Sequence, residues 1–408
     1  MEKKHKKIAI VNAHWSNRGD EAAIRPIIDY ILKYNKQCEI TILFKEKKEL
    51  QQFSYENKIQ YICASFLPHN LYEELIAVWG RGKSQNIKLE GLKQSVKVLA
   101  QTDIIIYSPG GAVISDRFWW RKQLEYLLPF ICAKIYKIPI FIAAPSIGPF
   151  ENLLWKNIIR KYLLQVSKKI FVREKFSKEY LEGIGVKKNV TITADMAFYD
   201  QPDLKKNSSI LKKYSKLMDF LNRYEHVVGI TITDFSWHVK YRNDEKIQNN
   251  IEETIKQFIK RLFCEKTGVL LIPQLFGNQN DRNYLYNYIY ENVFLMTDEE
   301  DAYFQQYIIG KLYAVVGMRY HSNIFAAKMG IPFIAISYEE KMSGFMEMEN
   351  LQNYLIRLES MSYDGVIEKW DDLKSNYRQY SKYLVYRRDF WRKNAEKTLK
   401  EIQELINA

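Results

Sequence analysis

One stretch of the chain gathers an arginine, a histidine and a lysine around a helix start. It runs from Val316 to Lys341 and contains Arg319-Tyr-His321-Ser-Asn323. The apolar residues before Arg319 read as a strand, and Ile324–Met329 reads as an apolar helix closed by Gly330. A helix N-terminus presents N–H groups with no partner in the helix and the positive end of the dipole, so it attracts anions. The next strand delivers Lys341. Arginine, lysine and free amides at one point suit a small molecule with more than one negative charge. Histidine is the natural proton donor in such a site, because imidazole titrates near neutral pH. A lone histidine is more often structural. Of His5, His14, His69, His226, His238 and His321, only the last has this company. Gln274, after Leu270–Pro273, falls on the same rim.

The first half of the chain carries weaker constellations, each following an apolar run. Asn17–Gly19 form a tight turn, and Asp20 and Glu21 then open a helix. Carboxylates are favoured there by the dipole. Two roles stay open for Asp20: an N-cap in a charged first turn, or a base or sugar ligand at a cleft between domains. The spacing is not GxGxxG, so a nicotinamide fingerprint is not supported. Gly110 and Gly111, in Ser108–Asp116, let the backbone approach a ligand; a plain turn is the alternative. Ser146, in Ala144-Pro-Ser-Ile-Gly-Pro149, has the same character. Arg173 ends one strand and Asp195 follows another. Arg173 either makes a salt bridge or binds a carboxylate or phosphate.

Short β-branched runs alternate with longer amphipathic stretches. Strands are expected at 7–12, 39–44, 60–63, 104–108, 140–144, 169–172 and 190–193. A second series is expected at 228–233, 268–273, 293–296, 314–316 and 332–337. Helix patterns cover 21–34, 119–136, 153–167, 249–266 and 303–312 between them. Such alternation implies parallel sheets with helices on both faces. The fold class is therefore α/β, with two Rossmann-like doubly wound domains at 1–205 and 206–408. The last stretch, 371–408, is helical by pattern, with good helix formers throughout 391–406, and its final helix is expected to return to the first domain. In open parallel sheets, ligands bind beyond the carboxyl ends of the strands, where the residues above lie.

Composition narrows the classes. The chain has 408 residues, 47% of them hydrophobic and 27% charged, which is globular rather than disordered. Four isolated cysteines make a disulfide framework or zinc site improbable. The best uncharged apolar run, Ile138–Phe150, is shorter than the about 18 residues a membrane helix needs, and the basic start leads into no signal-like segment. A cytoplasmic protein, at the inner face of the membrane at most, is expected. The formal charge is +13. No DNA- or RNA-binding motif is present and the cations are dispersed, so nucleic acid is not an expected partner. Cations mix with aromatics at 79–83, 117–122, 155–161 and 386–393. These stretches are either solvated helix faces with aromatic stems turned inward, or a surface for an anionic leaflet.

The ordered set of motifs resembles the polysaccharide pyruvyl transferase family. The matching pieces are Asn17-x-Gly-Asp-Glu-Ala22, Gly110-Gly111 with Asp116, Ser146-Ile-Gly-Pro, Arg173-Glu-Lys-Phe-Ser, Asp195 with Phe198, and Pro273-Gln274. Strongest are Arg319-x-His321 and Ile336-Ser-Tyr-x-x-Lys341 with Gly344-Phe345. Many members have Gly-Gln-Gly-Ile-Gly-Pro where this chain has Ala144-Pro-Ser-Ile-Gly-Pro, so no role for a glutamine at 145 carries over. The resemblance implies a fold like the B-type glycosyltransferases, with two domains facing across a cleft. It implies transfer of the pyruvyl group of phosphoenolpyruvate onto two sugar hydroxyls as a cyclic ketal. No metal or redox cofactor is implied. His321 is then the expected acid, with Arg319 beside it. Arg319, Lys341 and Arg173 hold the donor anions, and Asp20 is the first choice of base. Gly110, Gly111, Asp116, Ser146, Asp195, Gln274 and Asn323 complete the expected substrate contacts. The expected partners are phosphoenolpyruvate and a saccharide acceptor, lipid-linked if the basic surface docks to a membrane. The alternative is a B-type glycosyltransferase using a nucleotide sugar.

Overall fold

The computed structural model describes residues 6–44, 59–63, 77–83, 89–111, 114–117, 120–151, 154–236, 238, 240–276, 280–296 and 300–408. His5, His69, Phe118 and Trp119 lie outside the described residues.

The chain divides into two compact units. Unit 1 comprises 1–16, 20–196 and 393–408; unit 2 comprises 17–19 and 197–392. In unit 1 the strands are β1 (Lys7–Ala13), β2 (Glu39–Phe44), β3 (Ile59–Cys63), β4 (Ile104–Tyr107), β5 (Ile140–Ala143), β6 (Lys169–Val172) and β7 (Val190–Ile192). They form one parallel sheet in the order β3-β2-β1-β4-β5-β6-β7. The central strands are buried along their length, as in Ile104–Tyr107 and Ile140–Ala143. A parallel strand covered on both faces needs such an unbroken apolar run. Helices α1 (Arg18–Tyr34), α2 (Glu90–Leu99), α3 (Trp120–Tyr136), α4 (Leu154–Leu164) and α5 (Lys175–Gly183) connect the strands.

Unit 2 repeats the plan. Its strands are β8 (Val227–Thr231), β9 (Gly268–Leu271), β10 (Val293–Leu295), β11 (Ala314–Gly317), β12 (Phe333–Ser337) and β13 (Leu355–Arg357), in the parallel order β10-β9-β8-β11-β12-β13. Its helices are α6 (Leu204–Leu211), α7 (Ser215–Arg223), α8 (Glu245–Cys264), α9 (Asp281–Leu285), α10 (Ala302–Ile309), α11 (Tyr320–Met329), α12 (Glu340–Met348) and α13 (Tyr363–Ser375). The last helix, α14 (Tyr377–Asn407), runs on into residues that belong to unit 1. There its far end is tied by Gln403 to Asn35, by Thr398 to Thr193 (3.1 Å), and by Glu401 to Lys169 (3.4 Å). Among the described residues no helix is long and apolar enough to cross a membrane.

Each sheet has one place where the strand order reverses, between β1 and β4 in unit 1 and between β8 and β11 in unit 2. The loops leaving such strands diverge to opposite faces and open a crevice between them.

Candidate functional site

In unit 2, loops leaving β8, β9, β11 and β12 carry the polar side chains. Arg319 is the extended residue that precedes α11. Its backbone N–H donates to Thr231 Oγ1 at the end of β8 (3.4 Å), across the strand reversal. Thr231 Oγ1 also pairs with Ser322 Oγ at 2.7 Å. The guanidinium is held by both oxygens of Asp281, with Nε donating to Oδ2 at 3.2 Å and Nη2 donating to Oδ1. Asp281 is itself fixed, because Oδ2 also accepts from the backbone N–H groups of Gln274 and Leu275, both at 3.0 Å. Burial alone would lower the arginine's pKa, but the Asp281 carboxylate and a hydrogen bond with Tyr338 raise it, so the cation is locked in place.

Lys341 pairs with Glu339 at 2.6 Å. Both ion pairs flank one phenol. Burial and Glu339 push the Tyr338 hydroxyl up, while Lys341 and Arg319 pull it down. Tyr338 also packs edge-on against Phe235 and His238 from the loop after β8.

His321 is buried on the first turn of α11, with its ring edge-on to Tyr320. Asn17–Gly19 belong to this unit. The Arg18 N–H donates to the Gln274 carbonyl (2.9 Å), Asn17 pairs antiparallel with Leu275, and the Arg18 guanidinium lies over Phe276 (4.6 Å). The Asn17 side chain accepts from the Gly19 N–H at 2.9 Å and closes the turn. The turn is seated against the imidazole: a Cβ on Gly19 would fall 1.8 Å from His321 Nδ1.

Gln274 is buried and bonds Gln305 through Nε2. Its Oε1 has no hydrogen-bond partner among the described residues. Asn323 is wholly buried and donates to the Gly317 carbonyl (2.9 Å), which ties α11 to the end of β11.

In unit 1, Asp20 lies buried in the first turn of α1, with Oδ2 at 3.7 Å from His14 Nδ1. Asn12, the next-to-last residue of β1, has a positive φ of 62°, a conformation that costs about 1 kcal/mol or more in a non-glycine residue. Asn12 Nδ2 and both Asp20 oxygens face the spot where a Gly110 Cβ would stand, at 3.5 and 3.9 Å. A Cβ on Gly111 would meet nothing within 4 Å.

Arg173 has no exposed side-chain surface. Nε donates to Ser146 Oγ (2.9 Å), Nη1 to Asp195 Oδ2 (2.5 Å) and Nη2 to the Gly110 carbonyl (3.2 Å). Four expected residues thus meet in one buried network that fixes the ends of β4, β5, β6 and β7. Glu174 lies 3.6 Å from Arg173; burial raises its carboxyl despite that neighbour. Asp116 stands apart, held by both Nη atoms of Arg160 (3.0 and 2.6 Å) and by the Glu151 N–H (2.7 Å). Burial pushes Asp116 up, and Arg160 and the other donors outweigh it, so its pKa is lowered.

Arg160 belongs to the basic stretch 155–161 expected at the surface, but its side chain is fully buried against Asp116 and Gln123. The sequence reading missed Asp281, Glu339, His14 and Asn12. His14 carried a usable signal, because it directly follows β1, much as Arg319 follows β11, and Asn12 is the next-to-last residue of β1. The carboxylates that pair the cations carried none.

Comparison with known proteins agrees with the motif set. The sequence profile described as "Polysaccharide pyruvyl transferase" matches residues 17–340. The amylovoran biosynthesis protein AmsJ of Erwinia amylovora is 24% identical over 399 residues, covering 91% of this chain and 93% of that protein. Among solved structures, UDP-GlcNAc 2-epimerase from Neisseria meningitidis bound to UDP-GlcNAc superposes with a TM-score of 0.60 at 15% identity, covering 98% of this chain and 99% of that one. Anabaena HepE in complex with UDP-glucose does so with a TM-score of 0.59 at 13% identity, covering the same 98% and 99%. At these identities the two structures share the fold, which is that of the B-type glycosyltransferases.

Proposed function

The chain belongs to the polysaccharide pyruvyl transferase family, and from that premise we propose that it transfers the pyruvyl group of phosphoenolpyruvate onto two hydroxyls of a saccharide. The product is a cyclic ketal, and phosphate is released. The similarity to an amylovoran biosynthesis protein supports a saccharide under assembly into an exopolysaccharide as the acceptor.

The observation that carries this reading is the first turn of α11. The N-terminal turn of that helix carries Arg319 and His321 together, and Lys341 shares the Tyr338 environment with Arg319. Phosphoenolpyruvate brings a phosphate and a carboxylate, and this is a cationic, amide-rich place to receive them.

In the proposed reaction His321 gives a proton to the methylene carbon of the donor. C2 becomes oxocarbenium-like, with the developing charge met by the fixed dipoles around it. A saccharide hydroxyl attacks C2 and Asp20 accepts its proton. Phosphate then leaves C2 and takes the proton held by Asp20, and the second hydroxyl closes the ketal as its proton returns to the His321 imidazole. Lys341 and the α11 amides hold the donor anions, and Arg319 supplies a fixed positive charge. Arg173, saturated by Ser146, Asp195 and Gly110, acts as a positioning residue for the loops of unit 1. The reaction so written needs no further cofactor.

The test is mass spectrometry of candidate glycans incubated with phosphoenolpyruvate, with phosphate release followed in parallel. His321→Ala is expected to abolish the pyruvyl mass shift and to keep most donor binding by calorimetry. Wild-type turnover in that variant overturns the assignment of the acid. Tight binding of a UDP- or GDP-sugar with none of phosphoenolpyruvate overturns the donor.

A further inference from the structure

Helix α4 of unit 1 turns an apolar stripe to solvent. Leu154, Trp155, Ile158, Ile159 and Tyr162 are exposed by 76, 50, 57, 37 and 57%. Their spacing of i, i+1, i+4, i+5 and i+8 puts all five on one side of the helix. The opposite side holds the core, through Leu163, Leu164 and the buried Arg160. A soluble helix normally shows a polar outer face, and this one is inverted along more than two turns.

The stripe continues onto neighbouring elements through cations stacked on aromatics. Lys134, near the end of α3, sits 3.3 Å above the Tyr162 ring, and Ile135 beside it is exposed. Arg81 lies over the Tyr136 ring (5.5 Å), and Trp79 next to it is 75% exposed. Lys137 and Lys161 are also exposed here. Glu151, an exposed carboxylate, precedes α4. The face is thus apolar and aromatic at its centre and cationic around it.

We propose that this face docks unit 1 onto an anionic lipid leaflet. Charge complementarity selects the occupant. Buried apolar area with a tryptophan and tyrosine at headgroup depth, rimmed by lysines, is what an interfacial helix offers a membrane. A self-association interface would bury the same apolar stripe while leaving its lysines facing like charge. The proposal stands independently of the transfer chemistry, because none of these side chains belongs to the site above.

The test is flotation of the full chain with vesicles of phosphatidylcholine alone or mixed with phosphatidylglycerol. Wild type is expected to float only with the anionic vesicles and to be released at high salt. The exposed triple variant Trp155→Ser, Ile158→Ser, Tyr162→Ser is expected to lose at least about tenfold in partitioning, with unchanged circular dichroism. Lys134→Glu with Lys161→Glu, which leaves the apolar stripe in place, is expected to lose a similar factor. His321→Ala is expected to float like wild type. The proposal is overturned if wild type stays in the lower fraction with anionic vesicles. It is also overturned if the triple variant floats equally well, or if the triple variant only dissolves a dimer seen by gel filtration.

Discussion

Gly19→Ala isolates the contact between the early turn and His321. The added Cβ would lie 1.8 Å from Nδ1, 2.1 Å from Cγ and 2.5 Å from Cβ of His321. Ordinary contact begins near 3.4 Å, so the imidazole must retreat by about 1.6 Å. The alternative is for the turn to lift, which breaks the Arg18 N–H bond to Gln274 and the Asn17–Leu275 pairing. Gly19 has no positive φ, so the effect is steric and not one of backbone strain. Overpacking of this kind costs about 1–3 kcal/mol of stability, which leaves a chain of this size folded at assay temperature. A misplacement of about 1 Å in a catalytic group costs on the order of a hundredfold in rate. Gly19→Ala is therefore expected to lose about a hundredfold or more in kcat, with a thermal midpoint only a few degrees lower. The assay is phosphate release from phosphoenolpyruvate with a competent acceptor, beside donor binding by calorimetry and a thermal melt. Gly183→Ala is the control, since its Cβ meets nothing within 4 Å. A Gly19→Ala enzyme with kcat within about twofold of wild type would falsify the idea that His321 works from the position the turn imposes.

Asp116→Asn is expected to destabilise unit 1 by about 3–5 kcal/mol, because Arg160 is left buried without its counter-charge. The Asp116 pKa is lowered on folding, so its contribution is full above the ordinary carboxylate value of about 3.9 and fades as pH falls through the folded value. Thermal melts across acid pH should show a smaller acid-dependent drop in the variant, and an unchanged drop counts against the pairing. Glu339→Gln is expected to tighten phosphoenolpyruvate binding by about fivefold in calorimetry, because Lys341 no longer has a competing carboxylate at 2.6 Å. Equal or weaker binding would show that Lys341 does not exchange partners.

The fold was legible where burial demands a simple pattern. Runs such as Ile104–Tyr107 and Ala314–Gly317 are apolar throughout because both faces of a central parallel strand are covered. Leu355–Arg357 escaped because three residues between two short 3₁₀ turns carry no β-branched run of their own. The site was legible in its cations and not in their partners. Arg319 and Lys341 follow strands, a position that sequence shows. Asp281 reaches Arg319 from 38 residues upstream, a pairing that only the sheet order creates. The inward turn of Arg160 is hidden for a similar reason, since in Lys156-Asn-Ile-Ile-Arg-Lys161 the apolar residues face solvent and the arginine faces in. A periodicity argument assumes the opposite. The grouping of Asn17–Gly19 with unit 2 depends on contacts made some 250 residues later, at Gln274 and Leu275, and no local pattern encodes it.

The way charge is held in unit 2 separates two kinds of cation. Arg319 is bound by two oxygens of a carboxylate that itself accepts from two backbone N–H groups. Drawing Arg319 away from it would leave the buried Asp281 carboxylate without its counter-charge, at a cost of about 3–5 kcal/mol. An arriving anion therefore does not displace that pair, and Arg319 acts as fixed positive framework. Lys341 pairs with a single carboxylate, Glu339, lies over the Tyr320 ring at 5.8 Å, and has a side chain 17% exposed. A single flexible ammonium can pivot to a new oxygen without unmaking a network. A resting site with each cation paired also avoids the cost of an uncompensated buried charge. The donor would then replace Glu339 at Lys341 rather than fill an open charge. Selectivity follows from that exchange: a ligand must outcompete a carboxylate already in place. A molecule with two anionic groups can do so by spanning Lys341 and the α11 amides, where a single-charge ligand gains only one of them.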